Sequence, residues 1–155
     1  MIKINVIVGN KSWKKYIKNP KVYAKNKIKL LKKNNNFFKN KNIYFSLLLS
    51  DNKEIKKINK KFRKKNKTTD VLSFPFYEKK HLTKILKTEK KIYLGDIIIN
   101  LDKIIDKLNN KKDIKVEFDK LWIHGLAHLL GYRHKLKKDY IKMKKVEKNF
   151  FNLVN

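Results

Sequence analysis

The segment from Val116 to Leu130 constrains the fold more than any other part of the chain. Phe118, Leu121, Trp122, Leu126, Leu129 and Leu130 make it apolar on several faces, and it also holds His124 and His128. A helix this apolar has to run through a core. Residues four apart share one helical face, one turn from each other, so this core helix presents two imidazoles side by side. Gly131 follows, and glycine just past a helix permits the left-handed conformation that closes it. A reversal there brings His134 over the same face. Three of the chain's four histidines therefore converge from one helix and its exit loop.

The chain has no cysteine, which excludes disulfides and thiolate metal sites and fits a reducing cytosol. Any metal must take nitrogen or oxygen ligands. Neutral imidazole suits zinc, and three protein ligands with one open position form a catalytic zinc site. His124, His128 and His134 are accordingly the candidate ligands of a single zinc ion. A closed structural site needs a fourth ligand, and His81, the remaining histidine, offers no spacing argument for that role. The spacing HxxxHxxxxxH also occurs in metzincin peptidases, where a glutamate after the first histidine acts as general base. Here that position is Gly125, which can take no proton. Peptide hydrolysis by that route is disfavoured; hydrolysis of another bond remains open, because a bound zinc brings the pKa of water to about 7.

The rest of the chain reads as mixed α/β, with about four strands and about five helices. At 155 residues it is expected to be one domain, residues 1–155. Ile2, Ile4, Val6 and Val8 alternate with polar residues as a strand does. Pro20 opens a helix carrying Val22, Tyr23, Ile28, Leu30 and Leu31, ended by the asparagines at 34–36. Ile43 to Leu49 is a nearly continuous apolar run, suited to an interior strand. Asp51 and Glu54 resemble a capping box for a helix that carries Ile55, Ile58 and Phe62 and ends near Arg63. VLSFPF at 71–76 is extended, and Pro75 confines it to an edge or a strand end. Residues 77–91 show no clear period and are expected to be loop. Tyr93 to Ile99 is a further strand, with Gly95 marking a bulge or close approach. Helical stripes follow in Leu101, Ile104, Ile105 and Leu108, and in Tyr140, Met143, Val146, Phe150 and Leu153.

Charge bears on partners. Lysine and arginine number 42 against 13 acids, a formal net charge of +29. Such an excess points to a polyanion, with nucleic acid first. Nearly all of it is lysine, however, and the abundance of lysine, asparagine and isoleucine is what an AT-rich genome produces. Charge therefore supports a reading that other residues must make. No run of about 18 apolar residues exists to span a membrane, and the N-terminus lacks the layout of a secretory signal, so a cytoplasmic protein is expected.

HGLAHLLGYRH at 124–134 resembles the signature HGxLHLxGYDH of the YbeY family of endoribonucleases, the bacterial and organellar rRNA maturation factors. TTDVLSFPF at 68–76 is similar to that family's T[DN]VLSFP motif, YLGDIIIN at 93–100 to its LGDI strand, and INKKFR at 58–63 to its LNxxYR. The resemblance implies an α/β domain with a small mixed sheet of four to five strands, zincin-like, around a central buried helix bearing the metal histidines. It implies a zinc-dependent endoribonuclease acting on single-stranded RNA, in ribosomal RNA maturation (16S rRNA 3′ end processing) and ribosome quality control, with the ribosome or its small subunit as partner. Carried over by position, His124, His128 and His134 are the metal ligands and Arg63 the arginine important for activity. Lys64, Lys65 and Lys67 prolong the basic loop, where they either track RNA backbone or form a solvated charge run. Arg133 stands where the family usually has aspartate. It cannot accept a hydrogen bond, so either another group orients the site or activity is altered, and Arg133 itself offers a charge to substrate phosphate. The alternatives are a non-catalytic basic ribosome-associated protein with a structural metal site and, disfavoured by Gly125, a metzincin-like peptidase.

Overall fold

The computed structural model describes residues 2–108 and 113–155. Four strands form one mixed sheet: β1 (Ile2–Val8), β2 (Asn42–Ser50), β3 (Val71–Pro75) and β4 (Lys91–Asn100), in the order β1-β2-β4-β3. The first three neighbours along the sheet run parallel, whereas β3 pairs antiparallel with β4. The apolar run predicted to be interior, β2, is flanked on both sides. Ile43, Phe45, Leu47 and Leu49 on it are fully buried. Pro75 closes the edge strand β3, where its missing N–H costs no ladder bond.

Among the described residues seven α-helices surround the sheet: α1 (Pro20–Asn34), α2 (Asn36–Lys39), α3 (Asn52–Arg63), α4 (Lys79–Thr88), α5 (Leu101–Lys107), α6 (Ile114–Leu129) and α7 (Lys137–Val154). A 3₁₀ turn at Lys11–Lys15 seats Trp13, fully buried, with its indole N–H donating to the Ser50 carbonyl at 3.0 Å. Two expectations change here. Residues 79–88, expected to be loop, are α4. Leu82, Ile85 and Leu86 provide a short stripe at helical spacing, and only Leu82 is buried. In α1, Val22 and Leu30 face solvent, and the buried face is Pro20, Ala24, Ile28 and Leu31. Asn34 ends α1, and Asn35 caps the extra helix α2.

The expected core helix is α6, lying against β3 and β4 and beside α7. Its position is fixed from the far side by Asp119, which is fully buried. The Asp119 carboxylate accepts from the Tyr23 hydroxyl (2.9 Å) and the Trp122 indole (2.9 Å) and pairs with Lys27 at 3.0 Å. A buried carboxylate with three donors is satisfied, and here it ties α6 to α1. Burial, with Asp119 beside it, raises the Tyr23 pKa, so Tyr23 remains a donor.

The sheet is also adjusted locally to suit α6. Tyr44 pairs with Tyr93 and Ser46 with Asp96, so Leu94 and Gly95 together oppose Phe45 in a bulge. Gly95 has φ +131°, and a Cβ there would lie 2.1 Å from the Phe74 carbonyl oxygen. The additional residue turns Ile97 inward beneath α6, whereas Tyr93 and Asp96 share the outer face and hydrogen-bond each other.

Candidate metal centre and substrate cleft

His124 and His128 project from one face of α6, their ring centroids 4.6 Å apart. The end of the helix then carries out the predicted reversal. Gly131 has φ +87°; its N–H donates to the His128 carbonyl at 2.9 Å, and the Tyr132 N–H donates to the Ala127 carbonyl at 3.0 Å. That pair of bonds is a Schellman cap. His134 swings back as a result, 5.0 Å from the His128 ring and 5.8 Å from that of His124. One nitrogen from each histidine lies within 4.8 Å of the others. His81 is exposed on α4 and is not part of this cluster.

The protonation pattern inside the cluster suits a cation. The Nδ1 of His128 sits 3.0 Å from the Tyr132 carbonyl oxygen. A carbonyl only accepts, so Nδ1 carries the proton and the neutral ring has its lone pair on Nε2. Burial, reinforced by His124, brings the His128 pKa down to about 4, so the ring is neutral near pH 7. The Nδ1 of His124 lies 2.6 Å from Oε1 of Glu147, which again leaves Nε2 free. The two Nε2 atoms stand 3.1 Å apart. Opposed lone pairs at that distance require a proton or a metal ion between them. Three imidazoles and no thiolate fit zinc.

Glu147 was not among the residues singled out from the sequence. It lies on α7, and its other oxygen accepts from Lys144 at 2.7 Å. Burial alone would raise its pKa; the hydrogen bonds from His124 and Lys144 outweigh that and hold it below the ordinary glutamate value, so it is ionised. An acceptor behind a metal-facing imidazole fixes its tautomer and raises its basicity. Arg133, in the position where an aspartate was expected to do this, is exposed, and its guanidinium reaches the His128 carbonyl at 3.5 Å.

Arg63 reaches the same cleft from another direction. Asp51 caps the start of α3 by accepting from the Glu54 N–H at 2.8 Å. Lys64, in the left-handed conformation (φ 58°), ends the helix. Buried Asn59 braces the loop beyond, donating to the Lys67 carbonyl at 2.8 Å. Arg63 folds back over Phe74 and donates through Nη2 to the Ser73 carbonyl at 2.7 Å.

Arg63, Lys65, Arg133 and Lys135 line a cleft of about 590 Å³ together with His124, His128 and His134. Asp70 is the single carboxylate among its lining residues. Lys64 and Lys67 are not on its wall, and the Lys64 ammonium instead donates to the Lys61 carbonyl at 3.3 Å. Ser73 contributes its carbonyl. Phe76 is exposed beside Tyr93, and Phe74 lies beneath Arg63.

Gly125 faces away from the cleft. A Cβ there would meet three carbons of Ile97 at 2.7–3.0 Å. The position at which a peptidase carries its glutamate is thus pressed against β4.

A family model described as endoribonuclease YbeY matches residues 7–155. A protein of Pelagibacter ubique named endoribonuclease YbeY is 43% identical over 159 residues, which cover 99% of this chain and 97% of that protein. One of the same name from Ehrlichia canis is 36% identical over 151 residues, covering 95% of this chain and 88% of its own. A solution structure of a Thermotoga maritima protein superposes with a TM-score of 0.56 at 23% identity, over 99% of this chain and 89% of that one. It shares the fold.

Proposed function

The chain belongs to the YbeY endoribonuclease family, and on that premise we propose that it is a zinc-dependent endoribonuclease specific for single-stranded RNA. We infer that it serves ribosomal RNA maturation, at the 3′ end of 16S rRNA, and ribosome quality control, working in the cytoplasm with the small subunit as partner. The observation that carries the chemistry is the convergence of Arg63 with His124, His128 and His134 on one cleft whose other charges are almost all positive.

Each residue has a definable task. His124, His128 and His134 would hold the ion, with Glu147 and the Tyr132 carbonyl keeping the Nδ1 protons of His124 and His128 in place. When bound, a zinc ion supplies Lewis acidity and a water activated near neutral pH. Arg63 is anchored at one nitrogen by the Ser73 carbonyl, which leaves the rest of its planar donor fork for the phosphoryl oxygens that gain charge. Lys65, Arg133 and Lys135 neutralise flanking phosphates, and Lys64 and Lys67 add to the field along the loop.

The test is cleavage of single-stranded and duplex RNA by zinc-loaded protein, with and without chelator, beside His128→Ala. Cleavage confined to single strands, abolished by chelator and absent in His128→Ala, is expected. Intact RNA under every condition would refute the assignment.

A further inference from the structure

A second cavity, of about 450 Å³, opens on the other side of His124, in the groove between α6 and α7. It shares Asp70, Val71 and His124 with the cleft, so the two hollows meet at that imidazole. Their chemistry differs. The cleft sets four cationic side chains against one carboxylate, as a phosphodiester requires. In the second cavity much of the charge is already cancelled: Lys107 pairs with Glu117, Lys144 with Glu147, and Lys120 lies 3.9 Å from Glu117. Lys148, exposed on the rim, has no carboxylate partner among the described residues. Between these charges the lining is apolar, with Val71, Leu121 and Phe151.

The cavity's volume lies in the range of ligand pockets, about 300–1,000 Å³, and an aromatic side chain flanked by aliphatic ones is a surface on which an unpaired base packs. Because the two hollows meet at His124, a strand lying in the cleft can pass over that imidazole into the groove. We propose that this cavity is a nucleobase subsite. It takes the base of one nucleotide flanking the scissile linkage of an RNA strand, with Val71, Leu121 and Phe151 against the ring and Lys148 at its phosphate. The inference rests on the reading of the cleft as an RNA-cleaving site. It also gives single-strand preference a physical source: a base held in a duplex cannot turn into the groove, whereas an unpaired one can be splayed out and packed.

The experiment uses zinc-loaded protein and an oligoribonucleotide with one defined cleavage position, intact or carrying an abasic ribose immediately 5′ or 3′ of that linkage. Removing the base on one flank is expected to lower kcat/KM about tenfold, and in Phe151→Leu that penalty is expected to fall below threefold. Lys148→Glu, a surface change independent of packing, is expected to reduce the slope of log KM against log salt by about one. Abasic substrates cut as fast as the intact one on both flanks overturn the subsite, as does a penalty that Phe151→Leu leaves unchanged. In either case cleavage of the intact oligonucleotide leaves the RNase assignment standing; if wild-type protein cuts nothing, both fall.

Discussion

Oε1 of Glu147 lies 2.6 Å from Nδ1 of His124, so α7, the last helix, reaches back to the first histidine of the motif and holds its ring. The same carboxylate is gripped by Lys144 one turn earlier on α7, which limits its freedom to move away. A charged acceptor held in that position sets the direction of the His124 lone pair.

Removing the acceptor should therefore weaken the metal site without unfolding the chain. Glu147→Ala is expected to lower zinc affinity by about 10–100-fold, with Glu147→Gln intermediate because its amide oxygen still accepts. Competition with a chromophoric chelator measures this, and circular dichroism checks the fold. Equal affinity in wild type and Glu147→Ala would remove the role.

Arg63 is anchored through one nitrogen by the Ser73 carbonyl, and its planar fork holds the remaining donors in fixed directions. Arg63→Ala is expected to slow cleavage by about 10²–10³-fold, the usual cost of losing a preorganised donor. Arg63→Lys keeps the charge but not the geometry, and it should recover little of that rate. Single-turnover cleavage at saturating protein separates this effect from RNA affinity. Full rescue by lysine would mean that charge alone matters.

The low pKa of His128 makes stability depend on pH. Its folded value, about 4, lies below the 6.5 of the free side chain, so between these values the unfolded chain binds more protons. Stability then rises with pH in that window. The contribution is fully present above about 6.5 and is lost as pH falls towards 4. Metal-free protein should melt at progressively lower temperature from pH 7 to pH 4, and His128→Ala should flatten that part of the curve. Glu147, held below its ordinary value, adds a loss of the same sign below about pH 4.5.

Gly131 supports both the helix end and the third histidine. At φ +87° a Cβ costs about 1–2 kcal/mol, so Gly131→Ala should lower Tm by roughly 2–4 °C for each kcal/mol. It should also weaken zinc binding, because His134 depends on the reversal. Calorimetry of apo and zinc-loaded protein distinguishes the two effects: the zinc-induced rise in Tm shrinks as affinity falls.

Much of this arrangement was legible in the residues themselves. The composition of α6 forced it into the core, the spacing of His124 and His128 put them on one face, and Gly131 signalled the turn that brings back His134. Pro75 and the apolar run of β2 fixed an edge strand and an interior strand. Glu147 was less visible because it is far from the motif in sequence. Its only signal is an acid on a buried stripe, four residues after Met143 and three before Phe150, both nearly fully buried. The α4 helix was missed because its apolar stripe is only three residues long and Glu78 gives it no side-chain cap. The direction taken by Lys64 depends on its left-handed backbone, which a lysine-rich sequence does not announce.

The closeness of Gly125 to Ile97 bears on how such a chain can change its trade. One nucleotide substitution converts many glycine codons into a glutamate codon, so the acid of a peptidase motif is within easy mutational reach. The sheet, however, leaves no room for even a methyl group at that position. A protease's base at that position would therefore need Ile97 to give way as well, so the two sites would have to change together.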